Sequence, residues 1–143
     1  MGKLLVNIDF DGVLIPNHFE LMLFERVTRI KLTGLSSASD SIIEWYIKVV
    51  NTFPFAPLNV KLLKFFERNM DKYTLRLWTN RNLDLREKTL QNLDVFKSIF
   101  DSFQFYGGKK KKSRVEGIVI DNNPDYLKCG EFGGIIYPWK GGK

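Results

Sequence analysis

Two aspartates, Asp9 and Asp11, stand two residues apart at the end of the apolar run LLVNIDFDGVLIP. Leu4, Leu5, Val6, Ile8 and Phe10 read as a short buried strand, which Gly12 breaks. Carboxylates at the carboxyl end of such a strand lie where open α/β sheets bind their ligands, although two aspartates alone would serve equally well to cap a turn. Two more apolar strands end in polar groups. LRLWTNR (75–81) reaches Thr79, and GIVIDNNPD (117–125) reaches Asp121, with Asp125 four residues on. Between them lies a run of lysines, Lys109 to Lys112. An acid pair, a hydroxyl, a lysine and an acid thus stand in this order, each at or just beyond a predicted strand end.

These four segments, in this order and in these strand contexts, resemble the four motifs of the haloacid dehalogenase superfamily, over residues 4 to about 125. The resemblance implies that Asp9 is the nucleophile and forms an aspartyl-phosphate. Asp11 would then be general acid for the leaving alkoxide and base for the attacking water. A second aspartate at that position marks phosphatases and phosphotransferases of the superfamily and speaks against carbon–halogen chemistry. The metal would be magnesium, held by Asp9, the main-chain carbonyl of Asp11, and Asp121. Phosphate contacts would come from Asp11, Gly12, Thr79, the Asn80 main-chain N–H, and a lysine. Lys112 is preferred for that lysine, with Lys111 next and Lys109 third. Many members have two adjacent acids at the fourth motif, whereas this chain has Asp121–Asn122. Asp125 would hold a metal-bound water or the lysine, or simply start a helix. Arg81 either binds substrate or faces solvent, and stays outside the core set.

The elements that must position these groups alternate. Strands are expected at 3–10, 74–78, 100–106, 117–121 and 134–139, and helices at 18–32, about 40–50, 58–70 and 83–93, with a short helix or turn after Asn123. The helices are read from apolar residues at helical spacing, such as Ile42, Ile43, Tyr46, Ile47 and Val50. Residues 33–39 read as a polar loop, 51–57 as a breaker with two prolines, and the last residues as a frayed end. This order predicts an α/β, Rossmann-like, three-layer and mainly parallel sheet. Two helices in succession interrupt it. In the resembled family a cap module is inserted at this place, so residues 1–15 and 54–143 are expected to form the core and 16–53 a small helical cap. Phe19, Trp45, Phe53 and Phe55, in or near that cap, would stack on a base or belong to a core.

At 143 residues, 44% hydrophobic and 27% charged, the chain has the size and composition of one soluble domain. No apolar stretch approaches the roughly 20 residues of a membrane span, and the first apolar run is too short and too acidic for a signal peptide. One cysteine, Cys129, rules out an internal disulfide and fits a reducing cytoplasm; the lone histidine, His18, lies far from it in sequence. A net charge of +6 favours anionic partners. Nucleic acid is one such partner, though a solvated lysine face is the blander account. The region VEGIVIDNNPDYL and the short lysine-to-acid spacing are similar to the small 5′(3′)-deoxyribonucleotidase-like group, which makes nucleotides and other small organic phosphates the expected substrates. The alternatives are a phosphatase of nucleic-acid ends and a catalytically idle phosphate- or nucleic-acid-binding module of the same fold.

Overall fold

The computed structural model describes residues 2–31, 38–107 and 114–141. The first strand, β1 (Leu4–Ile8), is followed by helices α1 (Phe19–Thr28), α2 (Asp40–Val50) and α3 (Val60–Arg68). Strand β2 (Tyr73–Thr79) leads through a tight turn at Leu83–Leu85 into α4 (Arg86–Asn92). After a second tight turn at Asp94–Ile99 come β3 (Phe100–Phe105), β4 (Ile118–Asp121) and β5 (Gly134–Ile136). The strands form one sheet in the order β3-β2-β1-β4-β5, and each neighbouring pair is parallel. This is the Rossmann-like α/β arrangement expected, with an entirely parallel sheet. Among the described residues no helix is long and apolar enough to cross a membrane.

β1 is buried on both sides, as a central parallel strand must be. Val6 and Ile8 join Leu75, Leu77 and Ile120 in the main core, covered by Leu63 and Phe66 of α3 and by Phe96 and Ile99. On β2, Trp78 lies outside that cluster and meets the rings of Tyr106 and Tyr126 edge-on. Asn7 is the polar exception in β1. Its amide is buried and donates to the carbonyls of Glu116 (2.7 Å) and Ile118 (3.0 Å), tying β1 to the approach of β4. A second, smaller cluster forms around Phe24 of α1 with Tyr46, Ile47 and Val50 of α2 and with Leu85, which follows β2. Leu85 therefore seats the α1–α2 pair on the rest of the molecule.

Several elements are shorter than their apolar patterns. α1 stops at Thr28, whose hydroxyl donates to the Phe24 carbonyl while Arg29 turns left-handed (φ 64°). β5 stops at Ile136: the Tyr137 N–H still donates to the Asp121 carbonyl, but Pro138 has no N–H to continue. The helix expected over 83–93 opens as a tight turn because the Asn82 side chain accepts from Asp84 N–H. Most of the loop expected at 33–39 lies outside the described residues, as do Gly142 and Lys143.

Asn59 starts α3 and fixes it to the loop after β1. It is 3% exposed; its Oδ1 accepts from Leu62 N–H (3.2 Å) and its Nδ2 donates to the Val13 carbonyl (3.1 Å). Asn59→Ala removes the cap and orphans a buried carbonyl, an expected loss of about 1–3 kcal/mol. In urea unfolding the midpoint should fall with an unchanged slope; an unchanged midpoint would refute this account of the cap.

Candidate active site

All five strands are parallel, so their carboxyl ends share one edge of the sheet. The chain runs from β1 outward to β2 and β3, then crosses back to place β4 on the other side of β1. The switch point lies between β1 and β4, and there open α/β sheets hold their ligands. Asp9 follows β1, its N–H donating to the Ile120 carbonyl at 2.9 Å, and Asp121 ends β4. Thr79 ends β2 on the other side. All three are buried, at 8%, 0% and 1% exposure, yet they line a cleft of about 800 Å3. Its apolar wall comes from Leu21, Ile43, Ile47 and Leu85, and Tyr46 and Tyr126 add two phenol rings. Phe19, Trp45, Phe53 and Phe55 do not line it. Phe19 packs against the main core, Phe53 against the smaller cluster, and Trp45 against Phe24, while Phe55 is exposed.

Gly12 holds φ 84°, and a Cβ there would collide with the Asn122 amide, so this position needs glycine. It does not line the cleft: its N–H donates to the Ile15 carbonyl (2.9 Å) and its carbonyl accepts from Trp139 N–H (2.7 Å), so its amide is committed to the turn rather than presented to a phosphate. Thr79 Oγ1 accepts from Arg81 N–H at 3.2 Å, which leaves the hydroxyl proton available to an acceptor in the cleft. Beside it, the Asn80 side chain donates to the Tyr126 hydroxyl (2.9 Å). Asp125 is exposed in the first turn after Asn123, whose side chain accepts its N–H; it takes the helix-start place and does not line the cleft. Lys109, Lys111 and Lys112 lie outside the described residues.

The residue that sequence reasoning undervalued is Arg81. Its side chain is 4% exposed. Nε and Nη2 grip both oxygens of Asp11 at 3.0 and 2.9 Å, Nη2 also donates to Glu20 Oε1 at 2.6 Å, and Nη1 donates to Thr89 Oγ1 at 3.1 Å. The guanidinium lies 4.6 Å from the centre of the Phe10 ring. Burial opposes its charge, but Asp11 and Glu20 overcome that and hold it above its already high range. Sequence offered one signal, an arginine two residues beyond a strand end that carries Thr79. Glu20 gave none, because an acid in the first turn of a helix is ordinary.

Two carboxylates share this one cation. Glu20 has the buried position: burial pushes its carboxyl above the usual range, Arg81 pulls it back, and the Asp11 charge pushes it up again. Burial also raises Tyr46, with Glu20 and Asp11 adding to it.

The groups that could hold a metal at the switch point, the carboxylates of Asp9 and Asp121 and the Asp11 carbonyl, are all hard oxygen donors. Among the described residues no three His, Cys, Asp or Glu side chains group as a metal cluster. The Asn122 amide gives a separate indication. It lies 3.1 Å from both Asp121 Oδ1 and the Asp11 carbonyl, and turned nitrogen-first it donates to both. Two acceptors converging on one small space also suit a hard divalent cation, toward which the amide would present its oxygen instead.

No protein-family model and no curated protein matches the sequence. Among solved structures, the chain is similar to a haloacid dehalogenase-like family hydrolase from Streptococcus pneumoniae, with 12% identity over 82% of this chain and 75% of that chain and a TM-score of 0.49. The likeness lies in the course of the chain alone.

The raised Glu20 carboxyl has a measurable consequence. Because the folded state binds this proton more tightly than the unfolded chain, the stability it contributes is complete below the ordinary glutamate range and is lost as pH rises through the raised value. Glu20→Gln keeps the shape of the protonated acid and removes the titration. Wild-type stability minus that of Glu20→Gln should therefore fall as pH rises above the ordinary glutamate range in urea titrations. A difference that stays flat, or rises, contradicts the burial argument.

Proposed function

We propose that this protein is a magnesium-dependent phosphomonoester hydrolase that works through an aspartyl-phosphate on Asp9. The observation that carries the reading is the meeting of Asp9 and Asp121 at the switch point of a parallel sheet, with Thr79 at the neighbouring strand end. Two buried carboxylates facing a phosphate dianion repel it, and a divalent cation between them would remove that repulsion and polarise the phosphoryl oxygens. Asp9, Asp121 and the Asp11 carbonyl would hold that cation, and magnesium suits their oxygen donors.

In this reading a carboxylate oxygen of Asp9 attacks phosphorus and the bond to the ester oxygen breaks. Asp11 gives its proton to the departing alkoxide. Asp11 then takes a proton from water as that water attacks the aspartyl-phosphate, releasing inorganic phosphate and restoring Asp9. The Thr79 hydroxyl donates to a phosphoryl oxygen. A lysine of the 109–112 run, with Lys112 first, supplies positive charge. The cleft has room for a phosphorylated small molecule, nucleotides among them, and the rings of Tyr46 and Tyr126 stand on its wall.

Phosphate release is the test, using 4-nitrophenyl phosphate and a panel of nucleoside monophosphates, sugar phosphates and phosphate-ended oligonucleotides. Release should require magnesium, vanish with a chelator, and fall by at least about a thousandfold in folded Asp9→Asn. Turnover that survives either the chelator or Asp9→Asn refutes the mechanism.

A second measurement concerns the missing tandem acid. Asn122→Asp adds a formal charge beside Asp121 and should lower the magnesium concentration for half-maximal activity by about threefold to tenfold, since ligand charge tunes affinity for hard cations. An unchanged or raised requirement would place Asn122 outside the metal's surroundings.

A further inference from the structure

The reaction asks Asp11 to pass a proton to and from the substrate, yet both its oxygens are held by Arg81, at 2.9 and 3.0 Å. A carboxylate gripped by both prongs of a guanidinium cannot at the same time serve a leaving group, so one of the two must move. The surroundings say which. Arg81 would keep its place without Asp11: Glu20 Oε1 accepts from Nη2, Thr89 Oγ1 accepts from Nη1 and itself donates to the Leu85 carbonyl at 2.7 Å, and the Phe10 ring lies against the guanidinium. Side-chain exposure is 4% for Arg81 and 7% for Glu20, against 41% for Asp11. Asp11 is the member with room to turn.

We propose that Arg81 is a fixed docking partner for the Asp11 carboxylate, held by Glu20 and Thr89, and that Glu20, by sharing the guanidinium, sets how readily Asp11 leaves it to face the leaving group. Glu20 and Arg81 are thus positioning residues that act through Asp11. The assignment rests on the phosphatase reading above. A guanidinium that serves two carboxylates binds each less tightly than one that serves a single carboxylate. Glu20 is carried by α1, so the α1–α2 pair contributes to the timing of proton transfer as well as to the wall of the cleft.

The experiment compares kcat for 4-nitrophenyl phosphate, whose leaving group needs little protonation, with kcat for the best alkyl phosphate of the panel, whose leaving group needs it fully. Glu20→Gln leaves Arg81 to Asp11 alone, so the alkyl-to-aryl ratio should fall by about tenfold with the alkyl KM changed by less than about threefold. Glu20→Asp, which keeps the charge, should bring the ratio back to within about threefold of wild type. Equal losses on both substrates, or no loss on either, would overturn the proposal and leave Glu20 a structural role.

Should Glu20→Gln fail to fold, the double variant Glu20→Met/Arg81→Met decides, since removing both charges together spares the fold an unpaired buried ion. With nothing holding Asp11, its alkyl-to-aryl ratio should be at or above that of wild type, and a fall of more than about threefold overturns the proposal. Turnover in Asp9→Asn, or equal aryl and alkyl losses in Asp11→Asn, would remove the phosphatase reading and this assignment with it. That pattern is distinct, because both variants leave Glu20 and Arg81 intact.

Discussion

The cleft depends on β1 lying in the middle of the sheet with a parallel neighbour on each side. Parallel pairing puts every carboxyl end on one edge, and a central strand with neighbours reached by two separate crossovers creates the switch point. Asp9, Thr79 and Asp121 then gather at one cleft because of strand direction and order, before any side-chain contact selects them. Being covered on both faces, the strand must be apolar throughout. The exception, Asn7, shows the rule, since its buried amide is held by two carbonyls at the approach to β4 and so reinforces the β1–β4 pairing on which the site rests.

Charge imposes the next constraint. An arginine this deeply buried stays only where its hydrogen-bonding capacity and its charge are both met, and leaving either side of such a pair unmatched costs about 3–5 kcal/mol. Arg81 meets the condition with partners from three separate segments: Asp11 beyond β1, Glu20 in α1, and Thr89 in α4. It also ties α1 to the sheet edge where the apolar cluster around Phe24 and Leu85 does the same by packing. Polar and apolar contacts therefore fix the α1–α2 pair at the same border of the cleft. This is why Tyr46, Ile43 and Ile47 of α2 become its wall.

The strands and the order of the polar groups at their ends were legible in the sequence because both follow from short-range rules. A buried parallel strand is a short apolar run, and a polar residue that terminates it faces the ligand edge. Arg81 was visible as a residue but not as a centre, since its meaning comes from Glu20, which is 61 residues away in the chain. Gly12 was legible as a strand breaker, but its need to be glycine arises from Asn122 across the switch point. Of the aromatic residues read as either base-stacking or core, Phe19, Phe53 and Trp45 pack against the clusters and none of them lines the cleft, whereas Tyr46 and Tyr126, which the sequence did not single out for it, do. Ring type and neighbourhood in sequence do not say which face of a helix turns inward; packing around Phe24 does. Helix ends at Thr28 and near Leu83 were set by side-chain hydrogen bonds that apolar periodicity does not register.

The cleft opposes the charge of the whole chain. The protein carries +6, yet the described lining holds the acids Asp9, Asp11, Glu20, Asp40 and Asp121 and, of the lysines and arginines, Arg81. Arg81 is matched twice over by Asp11 and Glu20 and has little attraction left for an incoming anion. A phosphate dianion approaching these walls alone would be repelled at close range, where low dielectric makes the repulsion strong. The long-range field of a basic protein draws anions toward it but does not decide what happens inside the cleft. Binding of a phosphate there, as proposed, would be favoured by positive charge brought to the switch point. A divalent cation on the oxygens of Asp9, Asp121 and Asp11 would supply part of it, and a lysine from the basic run before β4 would supply more. In the proposed chemistry the cation would thus have an electrostatic task before any chemical one: to offset the carboxylates that would attack the phosphate and hold the metal.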